Sequence, residues 1–303
     1  TGLAMGGNKT RMFEYVLGEA VEQGADAVVA GAAVQSNYCR QLAASCAKLG
    51  LECHLVLRKV RGEKDDEIQG GLLLDLLVGA SIEFNEGKDW TVQGERIRQR
   101  GQELEALGKK VYVARVGDES RLGLYACGYA QAFVEMVEQA ARLDLQMDEI
   151  WVCSSDTTQA GLALAIKHLD APVRLVGLPA LPEPVTPGRT FPECLAQVGN
   201  ECAEILGLET RLSPEEIIST VDYVGPDYGV VTDACREAMR LAGRCDGLLL
   251  DPVYTSKAMA GLIDHIRRGL IDPNRKVVFV HTGGLPALFA YSDALKLDGL
   301  IEA

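Results

Sequence analysis

The sequence has no Cys-x-x-Cys pair and only four histidines, so its composition does not suggest a zinc site. Its nine cysteines, Cys39, Cys46, Cys53 and Cys153 among them, are scattered with no disulfide framework. Reduced thiols in a cytoplasmic protein are therefore expected. Basic charge is scarce: 30 Lys and Arg against 43 Asp and Glu leave a net charge of -13, which argues against nucleic acid or an anionic membrane as partner. Long apolar runs are missing too. The longest, around 27 to 34 and 72 to 80, are too short to span a bilayer. There is no repeat and no low-complexity segment. Methionine is absent from position 1, where Thr1 stands, so a segment upstream of it is expected. These absences leave a soluble metabolic protein that acts on a small molecule.

What is present is apolar residue in quantity, 48% of 303 positions, enough for a large core and for two lobes. Apolar spacing predicts a helix from Arg11 to about Gln23, a valine-rich strand at Asp26 to Ala30 and a helix ending at Leu49. The alternation continues with strands at 52–57, 81–84, 111–114, 149–153 and 173–176, and helices at 68–78, 91–107, 122–143 and 158–168. Pro179, Pro182, Pro184, Pro187 and Pro192 mark a rigid loop before another helix. The last third continues the pattern, with Leu248 to Leu250 and Val277 to Val280 as strands and Tyr254 to Arg268 as a helix. Strand and helix in alternation imply parallel sheets with crossover helices. In such sheets ligands sit where strand ends feed helix starts.

Five polar or glycine-rich stretches fall at places of that kind. In the first, Gly6-Gly7-Asn8-Lys9-Thr10-Arg11, two glycines and a polar residue open a helix whose first amides are unpaired. The field there disfavours a charged lysine and favours the neutral amine that a Schiff-base lysine needs. It is not a phosphate-cradling loop, because that motif needs glycine directly before the lysine and a buried strand just upstream. The second stretch is Gln35-Ser36-Asn37, where Ser36 or Asn37 can cap a helix. The others are Ser154 to Gly161, then Gly225 to Gly229 with Pro252 to Lys257, and Thr282 to Gly284. Between Arg58 and Glu67 a charged run reads as a solvated loop; its sharper reading has Arg58, Lys59 or Arg61 meeting an anionic substrate.

Read together, Gly6 to Arg11, Gln35-Ser36-Asn37, Gly225-Pro226-Asp227-Tyr228-Gly229, Leu250-Asp251-Pro252-Val253-Tyr254-Thr255 with Lys257-Ala258-Met259, and His281-Thr282-Gly283-Gly284 closely resemble one family. It is the family of pyridoxal-phosphate enzymes that holds D-cysteine desulfhydrase and aminocyclopropane-carboxylate deaminase, and the resemblance covers essentially the whole chain. It implies pyridoxal-phosphate fold type II, an α/β architecture of two open parallel-sheet lobes with helices on both faces. Residues 12–120 would form the smaller lobe, and 1–11 with 121–303 the larger, cofactor-binding one. It also implies pyridoxal 5'-phosphate as cofactor, an amino-acid substrate and a homodimer.

The resemblance assigns roles by position. Lys9 matches the lysine that carries the cofactor and shuttles a proton. Ser36 matches a hydroxyl near the substrate carboxylate, and Asn37 an amide that contacts the cofactor's phenolic oxygen. Tyr228 and Tyr254 match two tyrosines near the substrate, where a phenol can orient an amine or pass a proton. Ser154, Ser155, Thr157 and Thr158 fall in the phosphate loop, and Thr255, Thr282 and Gly283 beside the cofactor ring. Deaminases of the family place glutamate and leucine where this chain has Thr255 and Thr282, as the desulfhydrases do. A carboxylate beside the pyridine nitrogen deepens the electron sink that opening a cyclopropane needs; a hydroxyl is adequate where thiolate leaves.

The chain departs from the family pattern as well. Asp156 puts a carboxylate in the phosphate loop, and Asp118 in Gly117-Asp118-Glu119-Ser120 adds another acid. Tyr38 replaces a common histidine, and Met12-Phe13 a common Lys-Leu. D-cysteine is the expected substrate. Cysteate or another sulfur amino acid, aminocyclopropane-carboxylate, and a cofactor-binding relative without turnover are the alternatives.

Overall fold

The computed structural model describes residues 2–85, 89–115 and 121–297. The chain divides into two compact units, Thr1–Arg121 and Leu122–Ala303. The stretch Gly117 to Ser120, with Asp118, lies outside the described residues.

In the first unit, α1 (Lys9–Glu22), β1 (Ala27–Ala33), α2 (Asn37–Leu49), β2 (Glu52–Arg58), α3 (Gly70–Leu77), β3 (Ser81–Asn85), α4 (Trp90–Ala106) and β4 (Val111–Val113) follow in order. The four strands form one parallel sheet in the order β3-β2-β1-β4. The central strands of a parallel sheet with crossover helices are screened from water, which is why β1 and β2 are so apolar. Ala27, Val29 and Val56 pack against Ile97 and Leu104 of α4. The order reverses at β1, since β2 lies on one side of it and β4 on the other. The crevice at the carboxyl end of β1 is therefore this unit's switch point, and Gln35-Ser36-Asn37 occupies it.

The second unit repeats the plan. It runs α5 (Leu122–Arg142), β5 (Glu149–Cys153), α6 (Thr157–His168), β6 (Arg174–Leu178), α7 (Phe191–Ile205), β7 (Ile218–Ser219), α8 (Asp233–Asp246), α9 (Thr255–Arg267), β8 (Val277–Val280) and α10 (Leu285–Ala290). Its parallel sheet has the order β7-β6-β5-β8. Its core joins Trp151, Val176, Leu178, Ala258 and Leu262. The reversal falls between β5 and β8. Their register pairs Val152 with Val280, so Ser154 and Thr282, each two residues further on, leave adjacent strands at the same level.

The parallel α/β architecture read from the sequence is the one present. One expected strand is not. Leu248 to Leu250 joins no sheet: the Leu249 carbonyl faces His281 Nε2, just past the end of the edge strand β8, at 2.8 Å. Two elements were not foreseen, the helix α8 and the two-residue strand β7. Among the described residues no helix is long and apolar enough to cross a membrane.

Candidate active site

Lys9 is the first residue of α1, preceded by Gly6 and Gly7 at φ 78° and 130°. Side chains of α2 hold this turn in place. Arg40 donates to the carbonyls of Ala4 and Gly6, and Gln41 Oε1 accepts from Thr10 N and Thr10 Oγ1, both at 2.9 Å. Gly7 is glycine for a second reason, because a Cβ there would lie 2.2 Å from Gln41 Nε2. Lys9 itself is half-buried. Arg40 and Gln41, both buried, were not singled out in the sequence. Their only signal was their position one turn beyond the Ser36 cap.

Ser36 is the cap that the sequence left open between two residues. Its Oγ accepts from Tyr38 N and Cys39 N at 3.1 and 3.3 Å. Asn37 opens the helix, and its Oδ1 accepts from Arg40 Nη2 at 3.1 Å. The amide's NH2 end is thereby turned away from Arg40 as a donor, the polarity a phenolate oxygen requires. The departures at 13 and 38 are matched to each other, since the Phe13 and Tyr38 rings pack with centroids 5.2 Å apart.

The basic run that starts at the end of β2 is engaged by neighbouring side chains of the same unit. The Arg58 guanidinium stacks 3.3 Å from the Trp90 ring centre, Lys59 pairs with Asp66, and Asp65 accepts from the amides of Val60 and Arg61, both at 2.8 Å.

In the second unit the residues expected to form a phosphate loop stand at the start of α6. Ser154, Thr157 and Thr158 are buried. Ser154 Oγ accepts from Gln159 N at 3.0 Å, and Ser155 Oγ from Ala180 N at 3.0 Å. Asp156 caps α6, its Oδ1 accepting from Thr157 N at 2.6 Å and from Thr157 Oγ1 at 3.2 Å. The helix start is thus capped by a carboxylate, the charge its first amides favour. A hydroxyl-rich helix start beside a sheet's switch point fits a phosphate, with Asp156 as the internal competitor.

Across the switch point lie Thr282 and Gly283, buried at the end of β8. Gly284, at φ 100°, is pressed against Asp251: a Cβ there would come within 2.4 Å of Asp251 Cβ and Cγ. Asp251 is wholly buried. Its Oδ2 accepts from the amides of Val253 and Tyr254, both at 2.9 Å, and its Oδ1 from Thr255 N at 2.7 Å and Thr255 Oγ1 at 2.6 Å. Asp251 N donates in turn to Thr255 Oγ1 at 2.7 Å. Burial pushes the Asp251 carboxyl above its ordinary value, while these hydrogen bonds pull the other way. Thr255 is therefore locked to its own loop.

The loop also orients Tyr254, whose hydroxyl lies 2.6 Å from that of Tyr228, the rings crossing at 69°. Desolvation, then the neighbouring Tyr228, raises the Tyr254 phenol well above its usual value, so it stays protonated. The structure thus brings Ser154, Thr157, Thr158, Tyr228, Tyr254, Thr255, Thr282 and Gly283 to one end of the second unit's sheet. Lys9, Ser36 and Asn37 gather at the switch-point end of the first unit.

An open parallel sheet with hydroxyl-bearing turns at its switch point defines a class, the α/β enzymes that grip a phosphorylated cofactor at a helix start. The comparisons narrow it. A family model described as "Pyridoxal-phosphate dependent enzyme" matches residues 2–283, and the chain belongs to that family. D-cysteine desulfhydrase of Salmonella choleraesuis is 38% identical over 96% of this chain and 86% of its own length. 1-Aminocyclopropane-1-carboxylate deaminase of Burkholderia ambifaria is 36% identical over 98% of this chain and 87% of its own. A crystal structure of an ACC deaminase homologue superposes with a TM-score of 0.84 at 34% identity, covering 97% of this chain and 85% of that one. The protein is a pyridoxal-phosphate-dependent enzyme of the desulfhydrase and deaminase type.

Proposed function

We propose that the enzyme is a lyase acting on a β-substituted amino acid, with D-cysteine as substrate, in the cytoplasm and as a homodimer. D-cysteine and water would give pyruvate, hydrogen sulfide and ammonia. The observation that carries this reading is the hydroxyl at position 255. A carboxylate there would strengthen the electron sink, but Thr255 offers none, and Asp251, the carboxylate beside it, is saturated by four donors.

Pyridoxal phosphate, when bound, supplies the sink for the electron pair left as the α proton departs. Lys9, Asn37, Thr282, Gly283 and the Ser154 to Thr158 turn would hold it, and Lys9 Nζ would take and return the α proton. Ser36 Oγ accepts two amides, and its own hydrogen, which has the Cys39 thiol within reach, would turn toward the substrate carboxylate. In the Tyr228 and Tyr254 pair only one O–H can point into the shared bond. The second hydrogen is directed elsewhere, where it can meet the departing sulfur or the amine.

A second reading, aminocyclopropane-carboxylate deamination, has support from the 36% identity to the Burkholderia ambifaria deaminase. The two separate by product. Pyruvate and sulfide from D-cysteine, with no 2-oxobutanoate from aminocyclopropane-carboxylate, is the expected result. Release of 2-oxobutanoate as the faster reaction would overturn it.

A further inference from the structure

Lys257 is the third residue of α9 and is wholly buried. A cation near the N-terminus of a helix is opposed by the helix dipole, and removing an ammonium from water is costly unless it is well solvated by protein. Two backbone carbonyls solvate this one. Lys257 Nζ donates to the carbonyl of Val224 and, at 3.2 Å, to that of Val230. These two carbonyls bracket the turn Gly225 to Gly229, which bears Tyr228.

The turn has hydrogen bonds of its own, Tyr228 N to Asp227 Oδ1 at 2.7 Å and Val230 N to the Asp227 carbonyl at 3.3 Å, and two glycines that loosen it. Gly225 and Gly229 are left-handed, at φ 82° and 75°, conformations that cost glycine little and favour no side chain. Gly229 lies so close to Tyr291 that a Cβ would stand 2.8 Å from its hydroxyl. The short segment 254–257 therefore grips the turn at two places. Tyr254 meets Tyr228 at its crown, and Lys257 ties the two ends of its stem.

We propose that Lys257 is a positioning residue, a tethered cation that closes the 224–230 turn and so fixes the Tyr228 hydroxyl against Tyr254. This deepens, and rests on, the lyase reading above, in which that hydroxyl pair serves the substrate. A neutral side chain of equal length would leave two carbonyls without their donor, and the turn would open.

The test is Lys257→Met in the holoenzyme. Amides of 225–231 should exchange with deuterium at least tenfold faster than in the wild type, with β5 and β8 unchanged. kcat should fall at least tenfold while the absorbance of the Lys9-bound cofactor persists, a combination that general loosening of the fold would not produce. Unchanged exchange in the turn, or faster exchange with kcat unchanged, overturns the proposal. If the variant does not fold, the wild type decides: with 15N-labelled lysine, NMR should show one ammonium whose hydrogens are protected from solvent, and no such signal refutes the anchor. Should the wild type turn over no amino acid, the lyase reading fails, and the exchange arm still judges the anchor.

Discussion

In the proposed phosphate site, Asp156 would set the cofactor's grip against a charge the protein itself supplies. Its carboxylate occupies the amide of Thr157 at the start of α6, the kind of donor a phosphate would use. Asp156→Asn keeps an oxygen in the same place, so the helix retains its cap while the charge is removed. Two unit charges about 5 Å apart at an effective dielectric of about 20 repel by about 3 kcal/mol. Rotation of the carboxylate toward water recovers part of that, leaving a gain of about ten- to a hundredfold in affinity. The assay strips the cofactor, titrates the apoprotein with pyridoxal phosphate by absorbance, and repeats the titration with pyridoxal. Only the phosphorylated form should bind the variant more tightly. Equal affinity for the phosphorylated form in both proteins, or an equal gain with pyridoxal, would refute the reasoning.

Asp75 predicts a pH effect. It is wholly buried, neither carboxylate oxygen has a hydrogen-bond partner among the described residues, and burial pushes its carboxyl up to about 8. Between an unfolded value of about 4 and that folded value, the native state keeps a proton that the unfolded chain has lost, so stability falls as pH rises, by up to about 1.4 kcal/mol per unit. Urea midpoints from pH 5 to 8 should show the decline in the wild type and a flatter line in Asp75→Asn; parallel lines would contradict it. Thr255→Val removes the donor to Asp251 Oδ1 and the acceptor of Asp251 N. It should destabilise the protein by about 2 kcal/mol or more, and an unchanged melting temperature would count against the Asp251 hub.

The fold was largely legible because period-2 and period-3.6 apolar patterns report burial directly, and here nearly every strand is followed by a helix. Leu248 to Leu250 misled for the same reason: three leucines read as a strand, yet Leu249 is 58% exposed. The motifs located the polar turns, and helix chemistry narrowed the cap to Ser36 or Asn37. What spacing could not show was the support behind them. Arg40 reaches back 36 residues to the Ala4 carbonyl and 34 to that of Gly6, and Lys257 reaches 33 to the Val224 carbonyl. Such contacts follow from tertiary packing and leave no periodic trace. Asp251 was visible only as part of a motif, and its role emerges from the four donors that converge on it.

Borohydride reduction of the holoenzyme, followed by peptide mapping, tests the assignment of Lys9 most directly. The phosphopyridoxyl label should appear on Lys9, and Lys9→Ala should lose both the label and the absorbance band of the bound cofactor. A label on another lysine, or a Lys9→Ala protein that keeps the band and full turnover, would contradict the account.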